Sequence, residues 1–153
     1  MTSVQLTGLN QFDSDLETLL NELPEARREL HERIAKITKQ EVDTQINASG
    51  LKDSSGKIKD WQESVVGSGG GYAAVRPEKG ETGANSPGAI TNYLENGHRI
   101  REASGKSKNY HPRIKKPYVD GYHFYQEAST AIEAKVITEA EQFAEEIRKK
   151  LEG

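Results

Sequence analysis

At 153 residues, 33% hydrophobic and 29% charged, the chain supports one small domain with a thin core, and such domains often complete themselves in an oligomer. The absence of cysteine excludes disulfides, iron–sulfur clusters and thiolate zinc sites and fits a reducing cytoplasm, and no apolar run approaches the ~18 residues that span a membrane. The net charge of −3 is unevenly spread: His98 to Pro117 holds seven Lys/Arg and one acid, net +6, so the remainder carries −9.

In chain order, "MTSVQLTGLNQF" has neither a basic start nor a long apolar run, so no signal peptide is expected. Within it "SVQLTGL" alternates Val4 and Leu6 with polar neighbours and predicts a short strand. Asp13 or Ser14 caps a short helix carrying Leu16, Leu19, Leu20 and Leu23. Pro24 suits the first turn of a second helix, running to about Ile46, because its missing N–H costs nothing there. "KIKDWQESVVGSGGGYAAVRP" predicts a hairpin: Ile58, Trp61, Val65 and Val66, a glycine turn, then Tyr72, Ala74 and Val75. In "SPGAITNYLENG" both ends of a short helix are marked, with Ser86 as cap, Pro87 at the first position and Gly97 at the left-handed C-terminal position. Ile90, Tyr93 and Leu94 share one of its faces.

A basic loop follows, and then one long helix from about Gly121 to Leu151. Ile132, Val136, Ala140, Phe143, Ile147 and Leu151 recur on it at helical spacing. Glu145–Lys149 and Glu146–Lys150 are favourable i,i+4 pairs. About 30 residues make about 45 Å of helix, longer than this core covers alone. One edge of the stripe, notably Ile132, Val136, Phe143 and Ile147, is therefore expected to pack on a neighbouring subunit. The predicted class is α+β: a small antiparallel sheet, made of the hairpin and the N-terminal strand, packed by two long helices and a short middle helix. The chain reads as a single domain, 1–153, with a mobile basic loop at about 99–116. Seven like charges there do not offset the entropy of ordering.

Several chemistries can be weighed on their residues. Gly105-Lys106-Ser107 ends like a phosphate-binding loop, but the pattern needs a glycine at position 100, where Ile100 stands, and a helix that His111-Pro112 and Lys116-Pro117 prevent. Gly67, Gly69, Gly70 and Gly71 fit a hairpin connection better than a phosphate cradle, since no helix follows to lend its dipole. His31, His98, His111 and His123 form no metal-binding spacing. Ser104 or Ser107 with His98 lacks the nucleophile elbow and third orienting group of a triad. No catalytic, cofactor or metal residues are assigned, and no enzyme activity is expected. The basic residues Arg99, Arg101, Lys106, Lys108, Arg113, Lys115 and Lys116 lie beside Tyr110 and Tyr118, as a nucleic-acid groove requires. They equally suit a loop that orders against an acidic partner, and the acidic body of neighbouring subunits qualifies.

The order of parts, "GLNQF", "LLNELP", "SVVGSGGGYAAVRP", "YLENGH" and "KKPYVDGYHFYQEA", resembles the tail-completion or neck proteins of tailed bacteriophages, the family named for a small head–tail joining protein of a lambdoid coliphage. Gly8-Leu9 matches that family's opening. Leu94-Glu95-Asn96-Gly97 matches its hydrophobic-Glu-x-Gly segment, with His98 where Thr is common. Lys116-Pro117-Tyr118-Val119 stands where Pro-Phe-Leu is usual, and the second proline is replaced around Gly121. The resemblance covers most of the chain through short, degenerate motifs. It implies a structural virion protein, made late in the host cytoplasm, that forms a ring, often a hexamer, between the head connector and the tail tube or terminator proteins. The seven basic residues would then contact a partner ring, or DNA in the lumen without sequence preference, and no membrane or cofactor is involved. The competing reading is a small nucleic-acid-binding module using the loop 98–117.

Overall fold

A computed structural model of the chain describes residues 9–101, 106 and 116–152. The fold is α+β. Its frame is two long helices, α1 (Leu9–Ala48) and α4 (Phe124–Glu152), of 40 and 29 residues. They run antiparallel: Val42 and Ile46 pack on Phe124 and Ala128, while Glu22, near the other end of α1, bonds Lys150. At 1.5 Å per residue they are about 60 and about 44 Å long. The buried cluster Val42, Ile46, Phe124 and Ala128 sits at one end only, flanked by Leu51, Ile58, Val75, Leu94 and Tyr125.

The expected break at Pro24 does not occur; α1 passes through it. Proline inside a helix removes one backbone bond and crowds the carbonyl four residues back, a cost of about 3 kcal/mol. Pro24 and Leu20 lie on the solvent side, where an unpaired carbonyl is hydrated, and Leu19 and Leu30, buried on either side, hold both halves in line. The predicted strand over residues 3–9 lies outside the described residues, except that Leu9 opens α1.

The hairpin comprises β1 (Gln62–Val66) and β2 (Ala73–Pro77), antiparallel from Gln62↔Pro77 to Val66↔Ala73. It starts later than expected. Ile58 belongs to a single turn, α2 (Lys57–Asp60), because the Asp53 carboxylate accepts the N–H groups of Ile58 (3.1 Å) and Lys59 (3.2 Å). The connection lies along α1. Arg27 donates to the Gly69 carbonyl (3.1 Å) and Arg28 to that of Ser68 (2.8 Å). The loop thus offers carbonyls to arginines rather than N–H groups to a phosphate. Gly70 has φ +64, and a Cβ there would lie 3.1 Å from that of Arg28, so glycine lets the turn touch the helix.

The middle helix, α3 (Pro87–Asn96), has its expected start: the Ser86 hydroxyl accepts from the Ala89 N–H, with Pro87 following. A second strand pair, absent from the sequence prediction, follows it: β3 (His98–Arg99) with β4 (Tyr118–Val119), register His98↔Val119 and Arg99↔Tyr118. Among the described residues three ion pairs join α1 to α4: Lys135–Glu41 (2.9 Å), Arg33–Glu139 (2.9 Å) and Lys150–Glu22 (2.7 Å). The expected Glu146–Lys150 pair is therefore replaced, whereas Glu145 lies 4.0 Å from Lys149 and closer to Arg148.

Candidate functional site

The best-built polar arrangement in the molecule holds the start of α4. A helix leaves its first N–H groups without internal partners. At α4 the local candidates for a capping side chain are missing: His123, with φ 54, precedes Phe124. The acceptor comes from α3 instead. Glu95 Oε2 accepts from the Tyr125 N–H (2.9 Å) and Oε1 from the Gln126 N–H (3.1 Å). These are the bonds a capping aspartate would make, supplied across space, and the carboxylate also faces the positive end of the helix dipole. Backbone bonds from Tyr122 to the Leu94 carbonyl (2.7 Å) and from His123 to that of Glu95 (3.1 Å) complete the joint.

Gly97 sits at its centre, with φ 74 and ψ 178, a region open essentially to glycine alone. A Cβ there would collide with the Val119 carbonyl and come within 2.8 Å of the Gly121 nitrogen. Gly121 is equally constrained, since its Cβ would lie 2.7 Å from the Gly97 nitrogen. Three neighbouring residues have local uses. The Tyr118 hydroxyl donates to the Asn96 carbonyl (2.6 Å), a bond phenylalanine lacks. The His98 ring lies 5.4 Å from that of Tyr93. Gly121 allows two backbone segments to touch where a proline ring would not fit.

Behind the joint, Gln62 and Thr91 are buried. The Tyr125 hydroxyl donates to Gln62 Oε1, while Gln62 Nε2 donates to the Ile58 carbonyl (2.9 Å) and to Thr91 Oγ1 (3.3 Å). Burial, helped by the Glu95 charge, pushes the Tyr125 phenol upward, so it stays a neutral donor. Every polar atom named here is satisfied within the fold, so the joint is architecture.

The strand pair β3–β4 closes the base of the basic segment. Arg99 lies in β3, and Arg101, Lys106 and Lys116 are exposed. Lys108, Arg113 and Lys115 lie outside the described residues, as do Ser104, Ser107, Tyr110 and most of the segment expected to be mobile. Ile132, Val136, Phe143 and Ile147 line α4 and are all half-buried. Among the described residues no group of three metal-ligating side chains exists, and no helix is long and apolar enough to cross a membrane.

Sequence reasoning left three features unassigned. Glu95 appears in it only as part of a motif and Gly97 only as part of that motif and the end of the middle helix, and the signal for their role in the joint was an α4 start without a local cap. Two-residue strands carry no alternation from which β3–β4 could be read. Tyr93, Tyr118, Val119 and Tyr122 are each at least 37% exposed around that pair, an aromatic surface beside the basic one. No protein-family model, curated protein or solved structure matches the chain.

Proposed function

We propose that this chain is a structural virion subunit that completes the tail end or neck of a tailed bacteriophage and joins head to tail as part of an oligomeric ring. The observation that carries the reading is the joint at Leu94-Glu95-Asn96-Gly97. Two of the residues on which the family resemblance rests, Glu95 and Gly97, are among those that fix the basic segment to the start of the terminal helix. Short motifs placed at the points that set the geometry are what a shared architecture requires. Two features of the frame support assembly. The buried cluster Val42, Ile46, Phe124 and Ala128 lies at one end of the helix pair, with only Leu19, Leu30 and Ala35 among the described residues as buried apolar residues further along α1, and the α4 stripe residues are half-buried.

In this reading one edge of Ile132, Val136, Phe143 and Ile147 packs on a neighbour. The basic segment, Arg99 to Lys116, meets the adjoining head connector or tail protein, with DNA in the lumen as a secondary contact. A second reading, a nucleic-acid-binding module, draws on the exposed tyrosines beside Arg101 and Lys116. Native mass spectrometry over a concentration series, with a salt titration of DNA binding, separates the two. A ring component gives a closed oligomer and weak DNA binding as a monomer. A monomer with tight, steeply salt-dependent DNA binding overturns the ring.

A further inference from the structure

We propose that the β3–β4 end of each subunit docks head to tail on an acidic face of α1 in a second copy of this chain; the proposal rests on the ring reading above. The docking end is apolar at its centre and basic at its rim. His98 and Val119 stand opposite one another in the strand pair, on one side of it, and Tyr93 packs against His98. Tyr93 and Val119 are each 40% exposed, and among the described residues no further layer covers them. Arg101 and Lys116 follow β3 and precede β4, are exposed, and form no ion pair among the described residues. An aromatic centre with arginine nearby and a charged rim is the usual make-up of a protein interface.

The complementary surface is on α1. Glu22, Glu25, Glu29 and Glu32 recur at three- and four-residue spacing, which puts them on one face, and all four are exposed. Glu22 bonds Lys150, whose charge also attracts Glu29, whereas Glu25 and Glu32 form no ion pair among the described residues. A subunit's own docking end does not reach this face. The docking end is fixed beside Ile46 through Phe124, and Glu32 lies 14 residues earlier on the same helix, about 21 Å away. A basic surface at one end and an acidic face further along a stiff helix pair can meet only between copies. Such a contact is heterologous, and it closes into a ring when the rotation permits. Nucleic acid is the poorer occupant, because the remainder of the chain is strongly acidic and would repel it.

The test is sedimentation velocity on the full chain with two charge-reversed variants, Arg101→Glu/Lys116→Glu and Glu25→Lys/Glu29→Lys, each checked for wild-type helix content. Each variant alone should need roughly tenfold or more higher concentration to associate, because like charges then face one another. An equimolar mixture should recover association, since the reversed end of one variant matches the reversed face of the other. If the wild type associates while either variant does so equally well, or the mixture does not recover, this docking is wrong and the ring stands. A wild type that stays monomeric at every concentration contradicts both. So does a monomer that binds a DNA oligonucleotide through Arg101 and Lys116.

Discussion

Replacing Glu95 tests the joint from which the functional reading starts. Glu95→Ala removes the acceptor for the Tyr125 and Gln126 N–H groups, which lie at 2.9 and 3.1 Å. Losing a capping acceptor costs about 0.5–2 kcal/mol. Losing a negative charge at a helix N-terminus costs about 0.3–1 kcal/mol. The missing methylene, at a buried position, adds about 0.8 kcal/mol. The expected destabilisation is about 2–4 kcal/mol, a large fraction of a small domain's stability. Glu95→Gln keeps the methylene and one acceptor but points an amide N–H at a backbone N–H, so about 1–2 kcal/mol is expected. Urea denaturation followed by circular dichroism gives the totals. Amide exchange locates them: Tyr125 and Gln126 should lose protection in Glu95→Ala, while the middle of α4 keeps its own. A loss below about 0.5 kcal/mol, the scale of an ordinary surface change, would refute the argument, as would unchanged exchange at those two amides.

Three further outcomes are expected. Gly97→Ala should cost about 3 kcal/mol or more, because it combines a glycine-only backbone conformation with contact against the Val119 and Gly121 backbones; a near-neutral melting curve would contradict that geometry. Phe143→Ala should cost about 2–3 kcal/mol, below a fully buried phenylalanine, since Phe143 stays partly exposed in the subunit; a loss above about 4 kcal/mol would mean a complete core there. Hydrogen bonds from Lys135, and then from Gln45, hold the Glu41 carboxyl below its ordinary value of 4.5. A lowered carboxyl stabilises the fold above that ordinary value, and the contribution is lost as pH falls through the lowered one. Denaturation curves from neutral pH downward should therefore show a flatter acid limb in Glu41→Gln, and an unchanged limb would remove Glu41 from the account.

The elements that could be read from the sequence are those with strong local signals. Ser86, Pro87 and Gly97 marked both ends of α3, and helical spacing from Ile132 to Ile147 marked α4. Pro24 misled because its local preference for a first turn was overridden by Leu19 and Leu30, which bury on one continuous line. Ile58 misled because Asp53 caps a turn from five residues away, which alternation does not reveal. The basic residues were found by charge alone. The joint beneath them was not, since it depends on Glu95 reaching backbone N–H groups about 30 positions later, a contact fixed only when α3 and α4 pack together.

The central claim is that this chain joins head to tail through its basic segment. It is tested most directly by electron microscopy of particles assembled with Lys115→Glu/Lys116→Glu in place of the natural residues. Surface charge changes of this kind alter subunit stability by no more than about 1 kcal/mol, so the purified variant should melt nearly as the wild type does. The account predicts filled heads and separate, finished tails in the infected cell. Normal joined, infectious particles would contradict it.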